Sequence, residues 1–189
     1  MESIKVLLAK HSRIESQRLI LRPVTLNDSK DMYEYASDAE TAYYVFDRHE
    51  SLEATEESIV SYFIEQPLGK FGIELKETGK MIGTIDLRVK DRNKRAIVGY
   101  TLNKAYQGKG YMTEAGRRIL ELGFETLGLQ CIASLHDERN SASGRVMQRM
   151  GMTQEGIQRY VSTWKEGEWF NDVYYSILKS EYDEQNVLK

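Results

Sequence analysis

The residues most suggestive of chemistry lie in two short stretches, each at the start of a predicted helix. The first is YQGKGYMTEA, residues 106–115, in which Gly108 and Gly110 flank Lys109. Glycine lets the backbone approach a ligand closely, and the N–H groups of a first helical turn have no carbonyl partner within the helix. A strand, this loop and a helix in that order predict an anion site. A tight turn without a ligand is the alternative.

The loop differs from the common phosphate-binding motifs. It contains no G-x-x-x-x-G-K-[ST] sequence, and Thr113 stands where the dinucleotide motif G-x-G-x-x-G requires its third glycine. Hydrogen bonds to a charged group contribute about 1.5–3 kcal/mol, and the helix dipole contributes about 0.3–1 kcal/mol. Several backbone N–H groups would outweigh the Lys109 side chain, so we expect Lys109 to be a helper at the rim.

The second stretch is NSASGRVMQRMGM, residues 140–152, which follows the next predicted strand. Asn140 and Ser143 are three residues apart at its start, so their side chains face the same side of a helix. A simple helix cap is the alternative role for Asn140. Because both helices follow consecutive strands, we expect both helix starts at one edge of the sheet, where ligands bind.

Hydrophobic spacing and turn residues predict the elements that position these stretches. The predicted strands are residues 18–24, 71–75, 81–89, 96–103 and 129–135, followed by a hairpin over 160–178 with its turn at KEGE. The predicted helices are residues 25–36, 51–66, 114–128 and 140–152. This mixture predicts an α+β or mixed α/β fold with helices on both faces of a sheet.

Length and composition limit the class of protein. With 189 residues, 41% of them hydrophobic and 29% charged, the sequence predicts a single domain over residues 1–189. The net charge of −3 gives no general attraction to nucleic acid. The single cysteine, Cys131, cannot form an internal disulfide, and residues 1–16 have too short an apolar run for a signal peptide or membrane span. We therefore expect a cytoplasmic protein with no nucleic-acid or membrane partner.

Together the two stretches resemble the GCN5-related N-acetyltransferase (GNAT) superfamily. Residues 107–115 are similar to its acetyl-CoA pyrophosphate loop, Q/R-x-x-G-x-G/A, although Met112 stands where Gly or Ala is usual. Residues 140–151 resemble N-x-x-S-x-x-V-x-x-x-x-G of the branch of ribosomal-protein alanine N-terminal acetyltransferases. SQRLILRP and MIGTIDLR also resemble that branch, and the similarity extends over about residues 14–178.

The resemblance implies a GNAT fold, with a mostly antiparallel sheet of six to seven strands that splays between two strands to admit acetyl-CoA. It implies that backbone N–H groups from Gly108 to Thr113 hold the pyrophosphate, and that Asn140 binds the cofactor arm. The residues expected to bind acetyl-CoA are Tyr100, Thr101, Leu102, Gln107, Gly108, Lys109, Gly110, Tyr111, Met112, Thr113, Asn140 and Ser143. No metal is expected, since His11, His49 and His136 are far apart in the sequence.

The implied reaction is direct attack of a neutral primary amine on the thioester, with Ser143 as the catalytic residue that protonates the leaving thiolate. At pH 7 a lysine side chain is neutral in about one molecule in 2,500, whereas an α-amino group is neutral in roughly one in seven. A peptide N-terminus, as in a ribosomal protein, therefore depends less on a base to reach its neutral form. We expect a monomer or homodimer that binds acetyl-CoA and such an acceptor.

Other acceptors and other bases stay open at this point. A small amine (polyamine, antibiotic or amino-acid derivative) is the alternative acceptor, and a CoA-binding module without catalysis is a further alternative. Glu53, Glu56 and Glu57 could attract a cation, but they also suit the start of a solvated helix. The candidate bases are His136, Asp137 and Glu138, each of which also suits a loop. Five tyrosines are expected in the core, at its rim or in an acceptor groove: Tyr43, Tyr44, Tyr62, Tyr174 and Tyr175.

Overall fold

The computed structural model describes residues 2–90, 93–165 and 167–187. Its strands are β1 (Ile14–Glu15), β2 (Leu19–Arg22), β3 (Lys70–Leu75), β4 (Met81–Lys90), β5 (Arg95–Leu102), β6 (Cys131–Asp137), β7 (Thr153–Lys165) and β8 (Glu168–Leu178). Its helices are α1 (Ile4–Lys10), α2 (Ser29–Ala36), α3 (Ala39–Ala42), α4 (Leu52–Ser58), α5 (Tyr111–Glu121), α6 (Ser141–Arg149) and α7 (Lys179–Val187).

All eight strands form one sheet in the order β1-β2-β3-β4-β5-β6-β8-β7. Every neighbouring pair is antiparallel except β5 and β6, which are parallel. The predicted mixed fold with a mostly antiparallel sheet is therefore confirmed. The described part of the chain has eight strands rather than six to seven, because the two-residue strand β1 pairs with β2 through Ile14 and Glu15.

The parallel pairing of β5 with β6 is short. It joins Arg95–Ile97 to Cys131–Ala133, although β5 continues to Leu102 and β6 to Asp137. At the next position the buried Ser134 hydroxyl donates a 2.9 Å hydrogen bond to the Val98 carbonyl. A side chain thus replaces the backbone ladder there, and beyond it the two strands are splayed.

Helices cover both faces of the sheet. On one face, Met112, Ala115 and Ile119 of α5 belong to the same apolar cluster as Ile85 and Leu87 of β4. On the other face a smaller cluster joins α2, the segment after α4 and Met81. Because successive strand residues point to opposite faces, Thr84 and Asp86 of β4 face this second side. The two faces therefore differ in polarity along β4.

Two glycines inside the predicted helix over residues 114–128 have packing reasons. A Cβ on Gly116 would lie 2.0 Å from Met150 Sδ, and a Cβ on Gly123 would lie 2.5 Å from Ile132 Cδ1. Gly116 thus lets α5 approach α6, while Gly123 lets the end of this helical segment approach β6. Of the two, Gly123 packs against the sheet, whereas Gly116 packs against the residue that follows α6.

Several element boundaries differ from the sequence-based expectation. Helices α1, α3 and α7 were not predicted, and the helix predicted over 51–66 is α4 followed by a π-helical turn, Ile59–Ile64. Strand β7 begins at Thr153, before the predicted start of the hairpin. The predicted KEGE turn includes residue 166, which is outside the described residues.

No helix in residues 2–90, 93–165 and 167–187 has the length and apolar character needed to cross a membrane.

Gly83 of β4 is predicted to be required for the close contact between β4 and β5. A Cβ there would lie 2.3 Å from the Thr101 carbonyl oxygen and 3.0 Å from Leu102 Cα. Because backbone atoms cannot move aside like a flexible side chain, we expect Gly83→Ala to lower the free energy of unfolding by about 1–3 kcal/mol in urea titrations.

The matched control for Gly83 is Gly156→Ala, because a Cβ on Gly156 has no atom within 4 Å. This variant should stay within about 0.5 kcal/mol of the wild type. Equal stability of the Gly83 and Gly156 variants would contradict the proposed backbone clash.

Candidate active site

The glycine loop ends where α5 begins, in a conformation that requires glycine. Gly108 and Gly110 have φ values of 75° and 80°, in the left-handed region. The helix ladder begins with the Glu114 N–H group, which donates to the Gly110 carbonyl at 3.0 Å. The N–H groups of Tyr111 and Thr113, like that of the residue between them, precede this ladder and point out of the helix start. This arrangement suits an anion.

Residues from the start of the chain hold the loop in place. The Arg18 Nη1 atom donates a 3.0 Å hydrogen bond to the Lys109 carbonyl, and its guanidinium lies 4.3 Å from the centre of the Tyr111 ring. Glu114 accepts hydrogen bonds from the Arg18 backbone N–H at 2.8 Å, from Arg18 Nε at 2.7 Å and from the Ser16 hydroxyl at 2.7 Å. The sequence interpretation gave Ser16 and Arg18 no role at this site.

Glu114 is the charged centre of this clamp. Burial favours its neutral form, but hydrogen bonds from Arg18 and Ser16 and the Arg18 charge favour the carboxylate. The net effect is a Glu114 pKa below its ordinary value. The clamp is therefore charged at neutral pH.

A first cavity of about 430 Å³ lies between the glycine loop and the start of α6. The predicted acetyl-CoA residues that line it are Tyr100, Thr101, Leu102, Gln107, Gly108, Gly110, Tyr111, Met112, Thr113, Asn140 and Ser143. Four further lining residues carry positive charge: Lys104, Arg139, Arg145 and Arg149. The cavity thus combines backbone donors at one end with cations around it, as a polyphosphate ligand requires.

Lys109 is the exception among the predicted acetyl-CoA residues, because it does not line this cavity. Its Nζ atom donates a 3.3 Å hydrogen bond to the Ala105 carbonyl and lies 5.3 Å from the centre of the Tyr106 ring. The ammonium group therefore turns back along the chain. Its contact with acetyl-CoA stays a prediction.

Asn140 and Ser143 lie together at the start of α6. The Asn140 Oδ1 atom accepts a 3.3 Å hydrogen bond from the Ser143 N–H group, so Asn140 caps the helix. The Tyr100 hydroxyl of β5 donates a 2.9 Å hydrogen bond to the Ser143 carbonyl. Burial raises the pKa of Tyr100, which keeps this hydroxyl a donor. The contact ties the splayed end of β5 to α6.

A second cavity, of about 700 Å³, lies on the face of the sheet covered by α2 and α4. Its walls include Asp86 of β4, Gly99 of β5 and His136 of β6. Six residues line both cavities: Tyr44, Val45, Tyr100, Thr101, Asn140 and Ser143. The two cavities therefore meet at the gap between β5 and β6, beside Ser143.

The three candidate bases from the sequence have different surroundings, and His136 and Asp137 lie in β6 rather than in a loop. The buried His136 ring lines the second cavity, with Nδ1 2.7 Å from the Asp137 carbonyl. Burial opposes ionisation of Asp137, but hydrogen bonds from Arg139 and its charge lower the Asp137 pKa overall. Glu138 accepts a 2.8 Å hydrogen bond from Asn171 and lines neither cavity. Of the three, only His136 faces the second cavity.

Asp86 is a cavity residue that the sequence interpretation missed. Its side chain lies in the wall of the second cavity and is only 8% exposed. The sequence signal that could have identified Asp86 was the position of an acid within the alternating strand MIGTIDLRV, on the face opposite Ile85 and Leu87.

Among the described residues, no cluster of three or more His, Cys, Asp or Glu side chains is arranged to hold a metal ion.

An open sheet with a glycine loop at a helix start, beside two splayed parallel strands, is typical of one class of acyltransferases, and comparisons with known proteins agree. Residues 18–153 match the family model described as Acetyltransferase (GNAT) domain. The chain is 31% identical over 174 residues to "Uncharacterized N-acetyltransferase YnaD" of Bacillus subtilis (strain 168), covering 90% of this chain and 99% of that protein. It is 34% identical over 139 residues to "Putative ribosomal N-acetyltransferase YdaF" of the same strain, covering 70% and 74%.

A solved structure agrees with the sequence relatives. The acetyltransferase (GNAT family) from Bacillus anthracis superposes with a TM-score of 0.81 at 26% identity, covering 89% of this chain and 99% of that chain. The chain therefore belongs to the GNAT family of N-acetyltransferases. Enzymes of this family use acetyl-CoA and an amine acceptor, and the predicted family and acyltransferase activity are confirmed.

Arg18 is predicted to hold the glycine loop in the conformation that binds acetyl-CoA. Arg18→Met replaces the aliphatic part of the arginine side chain with an unbranched apolar chain. It removes the hydrogen bond to the Lys109 carbonyl and the Nε contact with Glu114. We expect the Kd for acetyl-CoA, measured by calorimetry, to rise about tenfold, which corresponds to about 1.4 kcal/mol.

The matched control for Arg18 is Arg13→Met, because Arg13 is exposed and pairs with Glu15 rather than with the loop. Its acetyl-CoA affinity should equal that of the wild type. If the two variants bind acetyl-CoA equally well, Arg18 has no role in shaping the loop.

The lowered pKa of Glu114 predicts a pH dependence of stability. A carboxyl with a folded-state pKa below its ordinary value stabilises the fold above that value and loses this contribution as the pH falls through the folded pKa. In urea unfolding between about pH 5 and pH 3, the wild type should therefore lose more stability than Glu114→Gln. Glu57→Gln, a change on an exposed residue of α4, should fall in parallel with the wild type. Parallel curves for wild type and Glu114→Gln would refute the prediction.

Proposed function

We propose that this N-acetyltransferase transfers the acetyl group of acetyl-CoA to the α-amino group of a peptide, by direct attack within a ternary complex. The observation that carries the proposal is the meeting of two cavities at the gap between β5 and β6. Two separate cavities allow both substrates to be bound at once, and the shared wall at Ser143 is the place where they would meet.

In the proposal, backbone N–H groups from Gly108 to Thr113 hold the pyrophosphate. Residues Tyr100–Leu102 of β5 bind the pantetheine arm, because β6 no longer pairs with this part of the strand. Asn140 contacts the same arm, and the Ser143 hydroxyl protonates the departing thiolate. Gln107 lies at the loop end of the cavity, and Lys109 has a supporting role at its rim.

The charge of the second cavity favours an acceptor with a single amine over a polyamine. Asp86 is the one carboxylate among the described residues that line this cavity, and Arg88 lies beside it. Glu53, Glu56 and Glu57 lie in α4 and do not contribute to its wall. A polyamine carries several ammonium groups and would need several carboxylates.

Two further observations support a peptide acceptor. Aromatic rings suit peptide binding, and two of the five tyrosines singled out in the sequence, Tyr44 and Tyr62, line the second cavity together with Phe46 and Phe63. The relative YdaF bears the name of a ribosomal N-acetyltransferase. An α-amino group also presents a larger neutral fraction at pH 7 than a lysine side chain does.

The proposal treats residues 1–189 as one domain that acts in the cytoplasm, as a monomer or homodimer without a nucleic-acid or membrane partner. The buried free thiol of Cys131 supports a reducing compartment, because an extracellular chain of this kind would more often carry disulfides. The net charge of −3 supports the lack of a nucleic-acid partner.

An acceptor panel tests the proposed function through acetyl-CoA-dependent thiol release. The panel contains peptides with free Ala or Ser N-termini, the same peptides with a blocked N-terminus and an internal lysine, and spermidine. We expect turnover with the free N-termini and little with the other acceptors. Turnover with spermidine alone would establish the small-amine alternative, and acetyl-CoA binding without turnover would establish a non-catalytic module.

Ser143→Ala tests the role of the hydroxyl in thiolate protonation. Loss of a general acid should lower kcat by about 100-fold. Acetyl-CoA affinity should change less than twofold, because the backbone donors of the glycine loop are intact. A large loss of affinity with little further effect on kcat would instead make Ser143 a binding residue.

A further inference from the structure

The carboxylate of Asp86 lies over β5, the strand that borders the gap between the two cavities. Asp86 of β4 pairs with Gly99 of β5 in the sheet register. A Cβ on Gly99 would lie 3.2 Å from Asp86 Oδ1 and 3.1 Å from Arg88 Nη1. Glycine at position 99 therefore leaves room above β5, and a carboxylate from the neighbouring strand fills it. Thr101, two residues along the same face, lines both cavities.

The two oxygens of Asp86 have different surroundings. The Tyr62 hydroxyl donates a 2.7 Å hydrogen bond to Oδ2, and Arg88 Nη1 donates to the same atom at 3.0 Å. Arg88 Nη1 is also 3.0 Å from Oδ1, but without hydrogen-bond geometry. Within the described residues, no donor reaches the buried Oδ1 atom at such geometry. Oδ1 is closed off from solvent and has the charge of the half-exposed Arg88 as its partner, so a ligand ammonium group in the second cavity would reach it by replacing the Arg88 guanidinium.

Burial and the neighbouring groups have opposite effects on the pKa of Asp86. Burial raises the Asp86 pKa, and this effect exceeds the opposing effects of Arg88, Tyr62, the Gly99 backbone and Lys70. These groups belong to β4, the segment after α4, β5 and β3, the elements packed around the carboxylate. Burial and the Asp86 charge raise the pKa of Tyr62, so its hydroxyl stays a donor. A raised pKa makes this carboxylate a better proton acceptor than an ordinary aspartate.

Two further residues of the second cavity, Tyr35 and His136, have a buried side-chain atom without a hydrogen-bond partner among the described residues, and of these His136 is the candidate base. Its Nε2 atom has no hydrogen-bond partner among the residues that the structure describes. A Cβ on Gly144 of α6 would lie 2.8 Å from this atom, and the His136 ring is stacked on Tyr175 at 5.7 Å. The ring nitrogen thus faces Gly144, the neighbour of Ser143 in α6, whereas Asp86 Oδ1 lies over β5, so the test below includes a His136 variant.

We propose that Asp86 contacts the acceptor amine in the second cavity and accepts its proton. The inference rests on the proposed function and assigns the base that the sequence left open. Asp86 takes one proton from the ammonium group, and the neutral amine nitrogen then forms a bond to the acetyl carbon while the C–S bond breaks. The leaving thiolate takes the Ser143 proton, and the second proton lost by the nitrogen restores the Ser143 hydroxyl. The products are the N-acetylated acceptor and the free thiol, with one proton left on Asp86 for release to water.

The test compares Asp86→Asn with Asp172→Asn, using the best acceptor of the wild type. Asp172 is a second buried carboxylate, 7% exposed, whose pKa is also raised by burial and by Asp137, but it lines neither cavity. We expect Asp86→Asn to lower kcat/KM for the acceptor about 100-fold at pH 7, with an unchanged Kd for acetyl-CoA. Asp172→Asn should stay within threefold of the wild type in both quantities.

The pH profile separates proton transfer from a structural role. Without a base, the rate of Asp86→Asn should follow the neutral fraction of the amine and rise about tenfold per pH unit up to its pKa near 7.8. The wild-type profile should be flatter over the same range. An Asp86→Asn rate within threefold of the wild type, or a profile of unchanged shape, would overturn the inference. The inference would equally be overturned if His136→Asn, rather than Asp86→Asn, showed the loss of kcat/KM and the steeper pH profile.

If Asp86→Asn fails to bind acetyl-CoA and is therefore misfolded, a second variant tests the role of Asp86. Tyr62→Phe keeps the carboxylate but removes a donor to Oδ2, so the acidic limb of the wild-type profile should move to higher pH. An unmoved limb would count against Asp86. If the wild type acetylates no acceptor, the proposed function fails; an active wild type with an equally active Asp86→Asn variant refutes only the role of Asp86.

Discussion

The early end of the pairing between β5 and β6 is the constraint on which the rest of the site depends. Two central strands of a sheet separate after three paired residues each, which leaves β5 paired with β4 but without a strand partner on the β6 side. Buried backbone groups along such an opening need other hydrogen-bond partners. The Ser134 hydroxyl bonds to Val98 where the ladder stops, and the Tyr100 hydroxyl bonds to the start of α6 further along. These two side chains define the length and the far wall of the gap.

The two cavities use different parts of the chain for their polar contacts. On the loop side, the groups presented to a ligand are mostly backbone N–H groups at the start of α5, whose geometry depends on glycines at positive φ. On the acceptor side they are side chains of neighbouring strands, such as Asp86 and His136. A side chain can be exchanged without moving the strand that carries it. Under the proposed assignment of the cavities, acceptor preference is therefore free to change while the acetyl-CoA side stays the same.

The features that were predictable from the sequence are local along the chain. The glycine loop, the helix behind it, and Asn140 with Ser143 each lie within a few residues, so spacing and capping preferences locate them. Asp86 depends on the register of β4 against β5, which no short window contains. Arg18 and Glu114 are 96 residues apart in sequence yet hydrogen-bonded, for the same reason. The direction of the Lys109 side chain depends on nearby carbonyl and aromatic partners rather than on the loop motif.

The Arg18–Glu114 clamp makes the conformation of the glycine loop dependent on the completed fold. An isolated fragment containing the loop and α5 lacks the two residues, Ser16 and Arg18, that fix Glu114. Any ligand that prefers the fixed loop therefore also stabilises the docking of the chain around β2, by mass action. If the loop binds acetyl-CoA, the concentration of acetyl-CoA would therefore affect the stability of this edge of the sheet.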